Sequence, residues 1–279
     1  MARLVETARQ KPLLWLDHTA YSARLLAQGQ APWLDTAACV AWLRQAQGLL
    51  RPDVLPLPLA EVAAAWLERQ AGLQAAMAGK TRRGHGPLKE LLAAEGLRAH
   101  AANLVTALRA AMPGAVFALV LASPRDWAAQ AMASAGGSLE AVDEDAVDAA
   151  AATVAEFLRL FASAGVDAVL LRESRPWATD EVDLLLELYQ PVANVARHYG
   201  WDWGVQWPEA IALPAGQGPD FTIAPAPCGA ALAGLTASAG FWQDEALPAP
   251  LAGGFGYAHI PVDAHPETVL TQLARLRER

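Results

Sequence analysis

Short apolar runs recur along the chain, at 12–17, 54–59, 116–122, 168–171, 201–207, 221–224 and 257–262, and Ala- and Leu-rich stretches with a helical period separate them. A run with apolar side chains at successive positions suits a strand covered on both faces, as in a parallel sheet wrapped by helices. The stretches between, clearest at 60–78, 144–164, 181–198 and 266–277, are rich in strong helix formers, so pattern and propensity agree. Their ends are marked too. Asp143 and Thr179 stand where an N-cap is needed, and Gly165 and Gly200 stand where a helix must stop before the next strand. Helix, glycine turn and buried strand in repetition make βαβ units.

No Gly-x-Gly-x-x-Gly opens a helix after the first strand, which removes support for a dinucleotide-binding fold. At 279 residues, with no linker, charge block or internal repeat, the chain reads as one α/β domain over 1–279, either a (β/α)8 TIM-type barrel or an open doubly wound sheet. Only seven strands are visible, one short of closure. The stretch 232–256 is where the eighth is either lost or disguised.

Composition narrows the partners. The chain is 54% hydrophobic and 18% charged, which excludes a disordered polymer. A net charge of −8 would repel a phosphate backbone, so no nucleic-acid partner is expected, and an anionic ligand would need a local basic pocket. No apolar run approaches the roughly 20 residues that span a bilayer, and no apolar core follows Met1, so the expectation is a cytoplasmic chain with no membrane partner. Two cysteines, Cys39 and Cys228, are too few for a disulfide framework and read as small buried apolar side chains.

Four ordered stretches resemble the uroporphyrinogen decarboxylase superfamily, which also holds zinc-dependent corrinoid and thiol methyltransferases. They are Phe117-Ala-Leu-Val-Leu-Ala-Ser-Pro124 followed by Ala135-Gly-Gly137, then Phe161-Ala-Ser-Ala-Gly165-Val-Asp167 running on to Ser174, then Tyr257-Ala-His259-Ile-Pro261 with Pro266-Glu267-Thr-Val269, and the opening Pro12-Leu-Leu-Trp15. The resemblance implies a (β/α)8 barrel, cofactor-free decarboxylation of an anionic, flat small molecule, and a homodimer. It also shows departures. Where the decarboxylases carry a basic clamp after the first strand, this chain has Asp17-His18-Thr19-Ala20-Tyr21, and where they carry a catalytic aspartate it has Leu55-Pro56-Leu57-Pro58-Leu59. The family tyrosine falls near Gln130, and only the histidine of the last strand has a counterpart, His259. The zinc ligands of the methyltransferases fall on Gln206, Pro208 and His259, which lack the thiolates that site needs, so no metal is expected.

Barrel chemistry sits at the C-terminal ends of strands. The first strand offers Asp17, His18 and Tyr21; adjacent Asp and His point to opposite faces, so both reach inward only if the strand has ended, and the alternative is a helix start with Asp17 as its cap. Arg172 and Glu173 end the fourth strand and Arg125 follows the third; the arginines either hold an anionic substrate group or lie in a solvated charged loop, with Arg172 paired locally to Glu173. The fifth strand carries Gln206 and Trp207; with Trp201 and Trp203, Trp207 either fills a core or forms a stacking wall for a flat ligand. His85, in the basic glycine-rich loop 80–87, either closes over an anion or lies on a surface loop. The expected catalytic groups are therefore His259, Asp17 and His18, with Tyr21, Arg125, Arg172, Glu173, Gln206 and Trp207 as substrate contacts. A decarboxylase-type lyase is the first reading, and a corrinoid-, folate- or thiol-linked methyltransferase and a non-catalytic binding barrel are the alternatives.

Overall fold

The computed structural model describes residues 4–178, 180–214, 218–230, 232–243 and 254–278. Its eight strands are all parallel and form one sheet: β1 (Leu14–Asp17), β2 (Val54–Pro58), β3 (Val116–Ala122), β4 (Ala168–Arg172), β5 (Asp202–Gln206), β6 (Phe221–Ala224), β7 (Leu232–Thr236) and β8 (Phe255–His259). They are ordered β1-β8-β7-β6-β5-β4-β3-β2, so the sheet curls into a nearly closed (β/α)8 TIM-type barrel with one unsealed seam between β1 and β2. The strand missing from the sequence reading is β7. Its Leu-Ala-Gly-Leu-Thr is short and carries a central glycine, which weakens both pattern and propensity.

The helices are α1 (Leu4–Gln10), α2 (Thr19–Leu26), α3 (Thr36–Leu50), α4 (Leu59–Glu68), α5 (Ala71–Ala78), α6 (Gly86–Ala93), α7 (Glu95–Ala111), α8 (Pro124–Ser134), α9 (Glu144–Leu158), α10 (Val182–Leu188), α11 (Gln190–Tyr199) and α12 (Pro266–Arg277). Asp143 caps α9 by accepting from the Ala146 N–H at 2.9 Å, while Thr179 lies outside the described residues. Gly165 and Gly200 adopt φ of 72° and 74°, the left-handed stop that a Cβ would strain. The stretch 181–198 is two helices rather than one, because Pro191 brings no N–H to continue α10 and restarts the helix as α11. The stretch 60–78 also divides, into α4 and α5, with the Gln74 amide donating to the Leu67 carbonyl at 2.9 Å.

Strict alternation fails after β5. Among the described residues no α-helix lies between Gln206 and Phe255, only the 3-10 turn Ala239–Gln243. Pro208, Pro214, Pro219, Pro225 and Pro227 interrupt any helical period there. No helix among the described residues is long and apolar enough to cross a membrane.

Three strand starts use one device. Asp53, Asp167 and Asp220 each accept the backbone N–H of the preceding strand, from Leu14, Phe117 and Trp203, all at 2.9 Å. At the seam this is what joins β1 to β2, together with the Asp53 N–H donated to the Leu14 carbonyl at 2.9 Å. β2 suits an edge because Pro56 and Pro58 carry no N–H.

Alternating residues fill the barrel. Trp15, Leu170, Phe221, Ile223, Phe255 and Tyr257 form one inner cluster, and α1 seals the N-terminal end with Leu4 and Ala8. Gly204 and Gly234 are required there, since a Cβ on either would meet a ring carbon of Phe221 or Phe255 at 2.4 Å. This aromatic floor lies one layer below the C-terminal ends of the strands.

Candidate active site

Side-chain direction alternates along a strand, so Asp17 shares the inward face of Trp15, Arg172 that of Leu170, and His259 that of Tyr257. The register pairs Asp17 with His259 and Arg172 with Gln206 on neighbouring strands. At the mouth, the Arg172 guanidinium donates through Nη2 to Asp17 Oδ2 at 3.0 Å and through Nε to Gln206 Oε1 at 3.1 Å. The Tyr257 hydroxyl donates to Asp17 Oδ2 at 3.3 Å and accepts from Arg172 Nη2 at 3.4 Å. His259 turns Nδ1 to the same carboxylate oxygen at 3.2 Å. Asp17 is thus the hub of a cation, a phenol and an imidazole.

Exposure grades outward across this group, with side chains 16% exposed at Asp17, 27% at Arg172 and 59% at His259. Burial alone would push the Asp17 carboxyl up, but the Arg172 charge and the His259 contact outweigh it and hold the group well below the usual carboxylate range. The hydrogen bond to Asp17 raises His259 above its ordinary value against burial and the Arg172 charge. With Asp17 ionised, Nδ1 of His259 carries the hydrogen, and Nε2 is the nitrogen turned away from the hub. The β8 end is fixed by the Trp242 indole, which donates to the His259 carbonyl at 2.8 Å.

Glu61 stands in the first turn of α4, just past the end of β2, and as a residue it is exposed. Crowding by the surrounding protein, then the Asp17 charge, push its carboxyl up to about 7 while Arg172 opposes them.

The remaining expected site residues do not join this group. His18 is 2% exposed at the N-cap of α2, within 3.1 Å of the Ser22 hydroxyl, and burial pushes it down to about 4, so it is neutral. Tyr21 packs with Leu16, Phe241 and Leu273 outside the barrel. Trp207 is 1% exposed on the outer face of the sheet, its ring edge-on to Trp177 at 5.0 Å, so it is a core residue and not a wall of the mouth. Arg125 and Glu173 form a buried pair at 2.8 Å behind β4. For three of the five the inward partner is the sequence neighbour: Asp17 beside His18, Gln206 beside Trp207, Arg172 beside Glu173.

Tyr257 and Glu61 were missed. Tyr257 could have been found as the residue two before His259 on the same face, and Glu61 as an acid in the first turn after a strand. His85 sits at the N-cap position of α6. Both cysteines are buried in the outer layer, and among the described residues no group of three or more His, Cys, Asp or Glu could hold a metal ion.

Fold and site together define a TIM-type barrel with an ionic, hydrogen-bonded group at the C-terminal ends of its strands. No protein-family model and no curated protein matches the chain.

Proposed function

We propose that the barrel mouth is the active site of an enzyme that binds an anionic small molecule and moves a proton, in a decarboxylase-type lyase reaction. The observation that carries this reading is the Asp17–His259 pair beside Arg172 at the C-terminal ends of β1, β8 and β4. A carboxylate on one imidazole nitrogen favours the protonated imidazole and orients its second nitrogen, the arrangement of a general acid. Arg172 commits Nε and Nη2 within the protein, and Nη1 has no partner among the described residues, so it remains for a substrate carboxylate.

In the reaction the bond from carbon to a carboxylate breaks, carbon dioxide leaves, and the electron pair stays on carbon. His259 then delivers the proton from Nε2 to that carbon. Resemblance of the β3, β4 and β8 segments to the uroporphyrinogen decarboxylases supports the reaction type, although the arginine clamp and catalytic aspartate of that family have no counterparts here.

The test is release of carbon dioxide from uroporphyrinogen and from a panel of smaller aromatic polycarboxylates. Turnover that falls about 100-fold or more in His259→Gln supports the reading. No release from any compound, or release untouched by that substitution, overturns it.

A further inference from the structure

Three consecutive residues at the end of β4 are tied from behind. The Arg172 carbonyl accepts the Ser123 N–H at 2.8 Å, and the Glu173 N–H donates to the Gln206 carbonyl at 2.9 Å. The Ser174 N–H donates to the Asp126 carboxylate. The Glu173 side chain receives Arg125 Nη2 at 2.8 Å on one oxygen and the Tyr189 hydroxyl at 2.6 Å on the other. Arg125 Nη2 also reaches the Arg175 carbonyl at 3.4 Å, and Glu181 stands 3.9 Å from Nη1. Arg125, Asp126 and Glu173 are only 6%, 7% and 6% exposed, and Tyr189 is fully buried.

Such a cluster is poorly explained by stability. Burying Arg125 and Glu173 costs desolvation that their attraction roughly offsets, and Arg125 Nε is left without a partner among the described residues. Apolar side chains of similar volume would hold helix to strand as well. What apolar packing does not supply is direction, since charged hydrogen bonds fix a backbone segment to a few tenths of an ångström. Glu173 points outward and its neighbour Arg172 points into the mouth, so whatever fixes the orientation of Glu173 fixes the strand end from which Arg172 projects.

We propose that Arg125, Glu173 and Tyr189 are positioning residues, which hold Arg172 in simultaneous contact with Asp17 and Gln206. Arg125 and Glu173 thus serve the site indirectly. The inference rests on the mouth being the site, and its test uses no substrate, so absence of turnover and failure of the positioning role are separate results.

The test is the titration of His259 by NMR in the ligand-free protein, comparing the wild type with the combined variant Arg125→Met, Glu173→Leu, Tyr189→Phe and with Tyr189→Phe alone. Asp17 and Arg172 are the charged groups acting on His259, the first raising and the second lowering its midpoint. Release of Arg172 weakens the opposing charge, so the midpoint should rise by ~0.5 pH unit or more in the combined variant and by less in Tyr189→Phe. The combined variant should keep its melting temperature within a few degrees, as apolar replacements of buried ion pairs do. Leu104→Ala, in α7, serves as a destabilised control with the midpoint unmoved. A folded combined variant with an unshifted His259 overturns the proposal; should that variant not fold, an unshifted midpoint in Tyr189→Phe does so.

Discussion

Replacing Asp17 with Asn removes the hub charge and keeps a side chain of the same shape, so the electrostatic part of the mouth is tested alone. Three contacts change, to His259 at 3.2 Å, to Arg172 at 3.0 Å and to the neutral Tyr257 hydroxyl at 3.3 Å, and the first two are between charges. Unit charges about 3 Å apart attract by about 1 kcal/mol at water-like permittivity, and with His259 59% exposed that screened limit is the appropriate one. One pKa unit corresponds to about 1.4 kcal/mol, so the His259 midpoint should fall by roughly one unit in Asp17→Asn.

The stability consequence has a definite sign. His259 is raised in the folded protein, so its contribution is fully present below an ordinary midpoint of 6.5 and is lost as pH rises through the raised one. Asp17→Asn lacks that contribution throughout. It also leaves Arg172, 27% exposed, without its counter-charge, at a cost of about 2 kcal/mol, between the limits for exposed and buried pairs. The assay is an imidazole NMR titration with urea melts at pH 6 and pH 9. An unmoved His259 midpoint would refute the claim that the carboxylate controls the imidazole.

Further outcomes follow from the same contacts. Because Asp17 is depressed, its stabilisation should be present above about pH 4 and decline as pH falls below it, visible as a fall in melting temperature that Asp17→Asn lacks. Glu61 is the opposite case, its midpoint raised from 4.5 to about 7; Glu61→Gln should match the wild type below pH 4.5 and become the more stable of the two as pH rises through 7, read from paired melts. Asp53→Ala leaves the Leu14 N–H unpaired at the seam, which should cost about 1–3 kcal/mol and accelerate hydrogen exchange at Leu14. Gly204→Ala drives a Cβ into the Phe221 ring and should cost about 1–3 kcal/mol by urea denaturation.

Much of this was legible in the residues. Continuous apolar runs announced seven strands because buried parallel strands leave no polar face, and the strand-end rule located Asp17, Arg172, Gln206 and His259. β7 was hidden because Gly234 yields its side-chain space to Phe255, so the strand lacks the bulk that marks its neighbours. His18, Glu173 and Trp207 were misplaced for one reason: each sits next to an inward residue, and alternation sends it outward. Partners reached across the chain, such as Tyr189 for Glu173 or Trp242 for the His259 carbonyl, left no local signal, since only the closed sheet brings them together.

An NMR titration with benzene-1,2,4-tricarboxylate, following the Arg172 guanidinium and the His259 imidazole together, asks directly whether this end of the barrel receives an anion. Both signals should move along one saturating curve, and Arg172→Met should flatten it. Saturable binding that leaves those two groups undisturbed, or no binding at millimolar ligand, would contradict the assignment of the mouth as the active site.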